Sequence, residues 1–74
     1  MSDQQTRDLR EADWYTTEEV AVLLKVDPSS LRRWRTARPP QGPPFVVVSG
    51  RVTRYSGADL IAYLSSRRVD PTAA

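Results

Sequence analysis

Two helices that follow each other at a very short interval constrain the fold of this chain more than any other feature. Apolar residues recur at helical spacing over residues 17–25 and again over residues 28–37, and only Val26 and Asp27 separate the two segments. So short a link forces the helices to cross sharply, because an antiparallel pair needs a longer connection. The sequence therefore predicts two crossed helices joined by a tight turn.

The starts of the predicted helices share one pattern of capping and apolar residues. In each, an apolar residue precedes the capping residue and another follows it four positions later, which is the arrangement of a hydrophobic staple. The capping residues and their staple pairs are Thr16 with Tyr15 and Val20, Asp27 with Val26 and Leu31, and Ser56 with Tyr55 and Leu60. The last of these starts predicts a third helix over residues 57–67, with Leu60, Ile61 and Leu64 facing the core.

A β-hairpin is predicted between the second and third helices. The proline-rich segment 39–44 ends the second helix, because proline cannot continue it. The β-prone runs 45–48 and 51–55 follow, joined by Ser49 and Gly50, which is the pattern of a hairpin with a tight turn. Trp14 and Tyr15 are predicted to add a short strand.

These elements define one small domain of the α+β class that is mainly α-helical. It has three helices and a β-hairpin, or wing, between the second and third, which is a winged helix-turn-helix. The domain is expected to span residues 13–68, after a disordered tail over 1–12 and before a frayed C-terminus over 69–74. A chain of 74 residues has room for one small core.

The composition argues against catalysis. The chain has no cysteine and no histidine, which excludes disulfides, thiol nucleophiles, zinc fingers and the usual acid/base group of neutral pH. Its carboxylates have no such partner, so we expect no catalytic residue, no metal and no cofactor. We also expect a cytoplasmic protein with no membrane contact, because no apolar run approaches the roughly 18 residues of a span and the N-terminus has no export signal.

The charge of the chain is unevenly distributed. Residues 1–24 carry two basic and six acidic side chains, a net charge of −4, whereas residues 25–68 carry nine basic and two acidic side chains, a net charge of +7. Such a distribution fits a face that meets a polyanion, and it also fits an arginine-rich solvated surface.

The second helix and the hairpin supply the candidate DNA-binding residues. With Leu31 and Trp34 turned inward, the outward positions of the second helix suit base and phosphate contacts. Arg51 at the hairpin tip is suited to a narrow minor groove and Arg54, nearer the base, to a phosphate. The outward positions of the helix are Ser29, Ser30, Arg32, Arg33 and Thr36. Arg35 lies at the edge of this face, where its stem covers the core or its guanidinium reaches a phosphate.

Three stretches of the chain resemble the MerR-like winged helix-turn-helix family, and within it the phage excisionases, also called recombination directionality factors. They are Tyr15-Thr16-Thr17-Glu18-Glu19-Val20-Ala21, Ser30-Leu31-Arg32-Arg33-Trp34, and the run from Gly50 to Leu60. Terminase small subunits and short prophage regulators share these motifs, so they indicate the fold more specifically than the biological role.

The resemblance implies a function in site-specific recombination. The second helix would enter the major groove of double-stranded DNA and the wing the minor groove. Several copies would bind neighbouring sites, bend the DNA and direct a phage integrase toward prophage excision in the bacterial host. Two other functions remain open: a small prophage transcriptional regulator, and a protein-interaction module that has lost DNA binding.

Overall fold

The computed structural model describes residues 9–73, and it confirms three helices with a hairpin between the second and third. Each helix ends one residue before its predicted end. In chain order the elements are β1 (Trp14–Tyr15), α1 (Thr17–Leu24), α2 (Pro28–Thr36), β2 (Val46–Ser49), β3 (Val52–Ser56) and α3 (Gly57–Ser66).

Two of the three helix starts are capped as predicted. The Thr16 hydroxyl accepts a hydrogen bond from the backbone N–H of Glu19 at 3.0 Å, and the Glu19 carboxylate accepts one from the N–H of Thr16 at 2.9 Å. The hydroxyl of Ser56 accepts from the N–H of Asp59 at 3.0 Å. Asp27 occupies the N-cap of α2, but its side chain makes no capping hydrogen bond, so that start relies on Pro28.

The turn between α1 and α2 depends on a left-handed residue. Lys25 has φ 57° and ψ 47°, a conformation that usually requires glycine. The N–H of Val26 donates to the carbonyl of Ala21 at 3.0 Å, and the N–H of Lys25 donates to that of Val22 at 3.2 Å. These two bonds form a Schellman motif, which satisfies the last carbonyls of α1 and reverses the chain within two residues.

The staple residues make up nearly all of the core. The fully buried apolar side chains are Val20, Ala21, Leu31, Tyr55 and Leu60. Tyr15 and Val26, the remaining staple residues, pack against this cluster together with Leu24 and Trp34. The three helix starts therefore meet at one point.

The prediction that Ile61 and Leu64 face the core is wrong. These side chains are 37% and 39% exposed, whereas Leu60 is fully buried. The reason is that α3 packs mainly on β3, so only a narrow stripe of the helix is covered.

The sheet is antiparallel, with β3 between β1 and β2. The hairpin strands lie one residue later than predicted, and the pairing of β2 with β3 is irregular between Val47 and Ser49. All four residues of β2 are exposed. β3 is the central element of the fold, because it carries the buried Tyr55 and continues directly into α3.

The proline-rich segment folds back over α2. The N–H of Gln41 donates to the carbonyl of Trp34 at 2.8 Å, and Pro43 is buried. Gly42 has φ 82° and lies so close to Trp34 that an added Cβ would be 2.9 Å from the indole. The segment therefore covers Trp34, which leaves this side chain half-buried against the core.

The residues just before β1 contact the folded domain. Leu9 packs against the core, and the N–H of Arg10 donates to the Tyr15 hydroxyl at 3.0 Å. The N–H of Gly57 donates to the carbonyl of Asp13 at 2.8 Å. Residues 9–12 thus contact the rest of the domain. Residues 1–8 lie outside the described residues, and the domain boundary at residue 13 stays a prediction.

The C-terminal segment forms a short 3-10 helix over Pro71–Ala73. Hydrogen bonds from the hydroxyl and the N–H of Thr72 lower the pKa of Asp70 below its ordinary value. Val69 is 86% exposed, so this turn is local structure outside the core. Fraying of residues 69–74 remains a prediction.

Gly57 offers a test of the packing between the N-terminal segment and α3. A Cβ at this position would lie 1.7 Å from the backbone oxygen of Arg10, so Gly57→Ala must displace residues 10–13. We expect a loss of about 1–3 kcal/mol in the free energy of unfolding, measured with urea. Gly50→Ala is the matched control, because a Cβ there meets nothing within 4 Å. Equal stability of the two variants would contradict this account.

Candidate nucleic-acid interface

The outer side of α2 presents most of the residues predicted to contact DNA. Ser29, Arg32, Arg33 and Thr36 are exposed and Ser30 is half-buried. Leu31, which is 1% exposed, fixes this orientation from the opposite side of the helix. The two serines lie in the first turn of α2, where the helix dipole favours an anion, and the N–H of Ser30 already donates to the carbonyl of Asp27 at 3.0 Å.

The two arginines on this face have different surroundings. The Nη2 group of Arg32 donates to the carboxylate of Glu18, at the start of α1, and forms an ion pair with it. Arg33 has a weaker contact, a 3.5 Å hydrogen bond from Nη2 to the hydroxyl of Ser30. Arg33 therefore makes its side-chain hydrogen bond within α2, whereas Arg32 is held by another helix.

Thr36 is less available for a base contact than the sequence suggested. Its hydroxyl donates to the backbone carbonyls of Arg32 and Arg33, at 3.3 and 3.1 Å. The proton is thereby used within α2, and the hydroxyl oxygen keeps only its capacity to accept.

The two arginines of the wing lie at different positions along the hairpin. Arg51 lies in the turn between β2 and β3 and is exposed. Arg54 is half-buried on β3, and its Nη1 group donates to the carbonyl of Thr53 at 2.8 Å. Arg51 therefore projects from the tip of the wing and Arg54 lies nearer its base, as the sequence predicted.

A shallow groove brings α2, the wing and the start of α1 together. It has a volume of about 300 Å³. Its lining residues include four arginines and one carboxylate, so its charge is strongly positive. They are Thr16, Thr17, Glu18, Arg32, Arg35, Arg51, Thr53 and Arg54. Three of the predicted site residues, Arg32, Arg51 and Arg54, thus share one groove, which we call the basic groove.

The other predicted site residues do not line the basic groove. Ser29, Ser30, Arg33 and Thr36 lie on the remaining outer surface of α2. The candidate interface therefore has two parts, the outer face of α2 and the basic groove, and Arg32 is the predicted site residue of α2 that belongs to both.

Arg35 has a role that the sequence analysis did not assign. Its Nη1 group donates to the hydroxyls of Thr17 and Tyr55, at 2.9 and 3.1 Å, and its guanidinium lies 5.8 Å from the centre of the Phe45 ring. It therefore ties α2 to α1 and to β3 beneath the groove. The spacing contained a signal for this position, because Arg35 follows the buried Leu31 by four residues and so shares its face.

Residues 9–73 contain no group of three or more His, Cys, Asp or Glu side chains placed to hold a metal ion. No helix in this part of the chain is both long enough and apolar enough to cross a membrane.

Comparison with known proteins places the chain in a family. No curated protein and no solved structure matched it. A family model described as a helix-turn-helix domain matches residues 14–68, which are β1 to the end of α3 and the two residues after it. Because this match covers most of the 74 residues, the protein belongs to the helix-turn-helix domain family.

Proposed function

We propose that this protein binds specific DNA sequences, with α2 in the major groove and the tip of the wing in the adjacent minor groove. Helix-turn-helix domains bind double-stranded DNA through the second helix of the motif, and membership in the family supports DNA binding. The observation that carries the finer proposal is the basic groove, because it joins Arg32 of α2 to Arg51 and Arg54 of the wing.

The proposed contacts follow from the chemistry of each position. Arg32 and Arg33 are long enough to reach the O6 and N7 atoms of guanine, the commonest specific contact in the major groove. Ser29 and Ser30 bind a phosphate at the first turn of α2, where the helix dipole favours negative charge. Thr36 contributes as an acceptor toward a base amino group.

The wing contributes contacts of another type. Arg51 enters the minor groove, whose negative potential is strongest where the groove is narrow. Arg54, held against the backbone of Thr53, binds a phosphate at the edge of this groove. A DNA site bound by both α2 and the wing is then contacted in two neighbouring grooves of the duplex.

We further propose that the protein is an excisionase, an architectural factor that directs a phage integrase toward excision. The resemblance of its three motifs to phage excisionases supports this role. One module of this size buries only roughly 600–1,000 Å² on DNA, so occupancy of a natural site would need several copies bound side by side. Cooperative binding would also supply the roughly 1–6 kcal/mol that bending a site of 20–30 base pairs requires.

Salt dependence distinguishes DNA binding from a protein-interaction function. If about five phosphates are neutralised, the logarithm of the binding constant should fall with the logarithm of the salt concentration at a slope of roughly −4 to −5. Fluorescence anisotropy on a labelled duplex measures this slope. No measurable binding to the duplex, or binding that barely responds to salt, would support a protein-interaction module in place of a DNA-binding one.

Substitutions on α2 test the base contacts. Arg32→Ala and Arg33→Ala should each weaken binding to the selected site by about 1–3 kcal/mol and weaken binding to random DNA much less. Arg68→Ala is the matched control, because it removes the same charge from the end of α3, outside the basic groove. If each substitution weakened binding to the selected site and to random DNA equally, the two arginines would contact phosphates and not bases.

DNA bending and recombination test the excisionase proposal. On duplexes with direct repeats we expect cooperative complexes whose bend appears in permuted-site gel shifts, and Arg51→Ala should reduce both affinity and bend. Addition of the protein to its integrase should favour excision of the prophage.

Unbent complexes with single copies would contradict the excisionase role. Regulation of a reporter gene without any effect on integrase would instead support a small prophage transcriptional regulator. Both outcomes leave sequence-specific DNA binding unaffected, because that part of the proposal depends on the contacts of α2.

A further inference from the structure

We propose that Glu18 sets the sequence specificity of this protein by holding the guanidinium of Arg32. The inference rests on the proposed function, because it concerns how Arg32 reads a base. Glu18 is the one acidic residue among those that line the basic groove, where four arginines surround it. A carboxylate repels phosphates, so its presence on a surface proposed to bind DNA is not explained by a gain in affinity for DNA.

The position of Glu18 is fixed by local structure. It lies in the first turn of α1, and the neighbouring Glu19 is turned back to the N–H of Thr16 by the capping box. Glu18 instead extends toward α2, where its carboxylate accepts a hydrogen bond from Nη2 of Arg32. The tight turn between the helices sets the approach of these two side chains.

The ion pair contributes little to folding. The side chains of Arg32 and Glu18 are 51% and 63% exposed, and exposed pairs are worth little in water. The capping hydrogen bonds of the helix start are made by Thr16 and Glu19, and Glu18 adds only the small stabilisation of an exposed acidic residue in a first turn. Its contact with Arg32 is therefore better explained by binding than by stability.

An arginine whose guanidinium is held by a carboxylate favours bases over phosphates for two physical reasons. A guanidinium has five N–H donors, so one bond to Glu18 leaves enough donors to bind O6 and N7 of guanine together. Because its plane is already held, Arg32 loses less conformational freedom when it binds a base. The carboxylate also repels a phosphate that would otherwise capture Arg32 on DNA of any sequence.

Both effects raise the ratio of the affinity for the specific site to the affinity for random DNA. The first strengthens binding at the correct site, and the second weakens binding elsewhere. Glu18 is thus a positioning residue for Arg32, and it lowers affinity for random DNA while it raises discrimination.

The experiment compares Glu18→Gln with Glu11→Gln in the full chain. Glu11 is exposed and does not line the basic groove, so its substitution changes the net charge equally without touching Arg32. The dissociation constants are measured on a duplex selected from a random library by the wild-type protein and on a random duplex, each at several salt concentrations. Circular dichroism and thermal unfolding check that the variants are folded.

We expect Glu18→Gln to reduce the ratio of specific to random affinity by about fivefold. Binding to random DNA should tighten, and its salt slope should steepen by about 0.9, the value for one added phosphate contact. Glu11→Gln should tighten binding to both duplexes alike and leave the ratio unchanged. In an Arg32→Ala background, Glu18→Gln should affect the ratio no more than Glu11→Gln does.

The inference is overturned if Glu18→Gln and Glu11→Gln change the ratio equally, or if the effect of Glu18→Gln persists without Arg32. In either case the wild-type protein still selects a sequence, and the proposed function stands. If the wild-type protein selects no sequence from the library, the proposed function fails and the inference fails with it.

Discussion

The contact on which the rest of the structure depends is the meeting of three hydrophobic staples in one core. Each helix start contributes the apolar residue before its cap and the one four positions after it, and all six side chains belong to the same cluster. The beginnings of the helices are therefore fixed relative to one another. This arrangement suits a domain with few residues to bury, because the same side chains specify the helix starts and the tertiary packing.

The core in turn orients the surface proposed to bind DNA. Burial of Leu31 turns Arg32 and Arg33 outward, and burial of Tyr55 anchors β3 in the same core. Arg35 joins these elements through the Tyr55 hydroxyl, which gives a buried polar group its hydrogen bond. α2 and the wing are thus held by one connected set of contacts, so their spacing is already defined in the free protein. A preorganised spacing lowers the entropy lost when both elements bind at once.

Two segments outside the helices and strands cover parts of the small core. Residues 9–13 lie against Tyr15 and the start of α3, and the proline-rich segment covers Trp34. Both segments approach the domain at a glycine, Gly57 in one case and Gly42 in the other, where a side chain would collide with its neighbour. The apolar residues that stay exposed lie mainly on β2 and on the outer side of α3, which have no covering segment in the described part of the chain.

The sequence alone determined what depends on neighbours three or four residues apart. The helix starts, the short link at Val26 and Asp27 and the outward face of α2 follow from such spacing, and the structure has them where they were expected, with the hairpin strands one residue later than predicted. The tertiary structure decided what depends on residues far apart in the chain. The pairing of Arg32 with Glu18, the hydrogen bonds of Arg35, the packing of residues 9–12 and the exposure of Ile61 and Leu64 are of this kind. Local periodicity gives the direction in which a side chain leaves its own helix, but it does not give the element that meets it there. The element that meets a side chain is fixed only when the core sets the crossing of the helices and the position of the sheet.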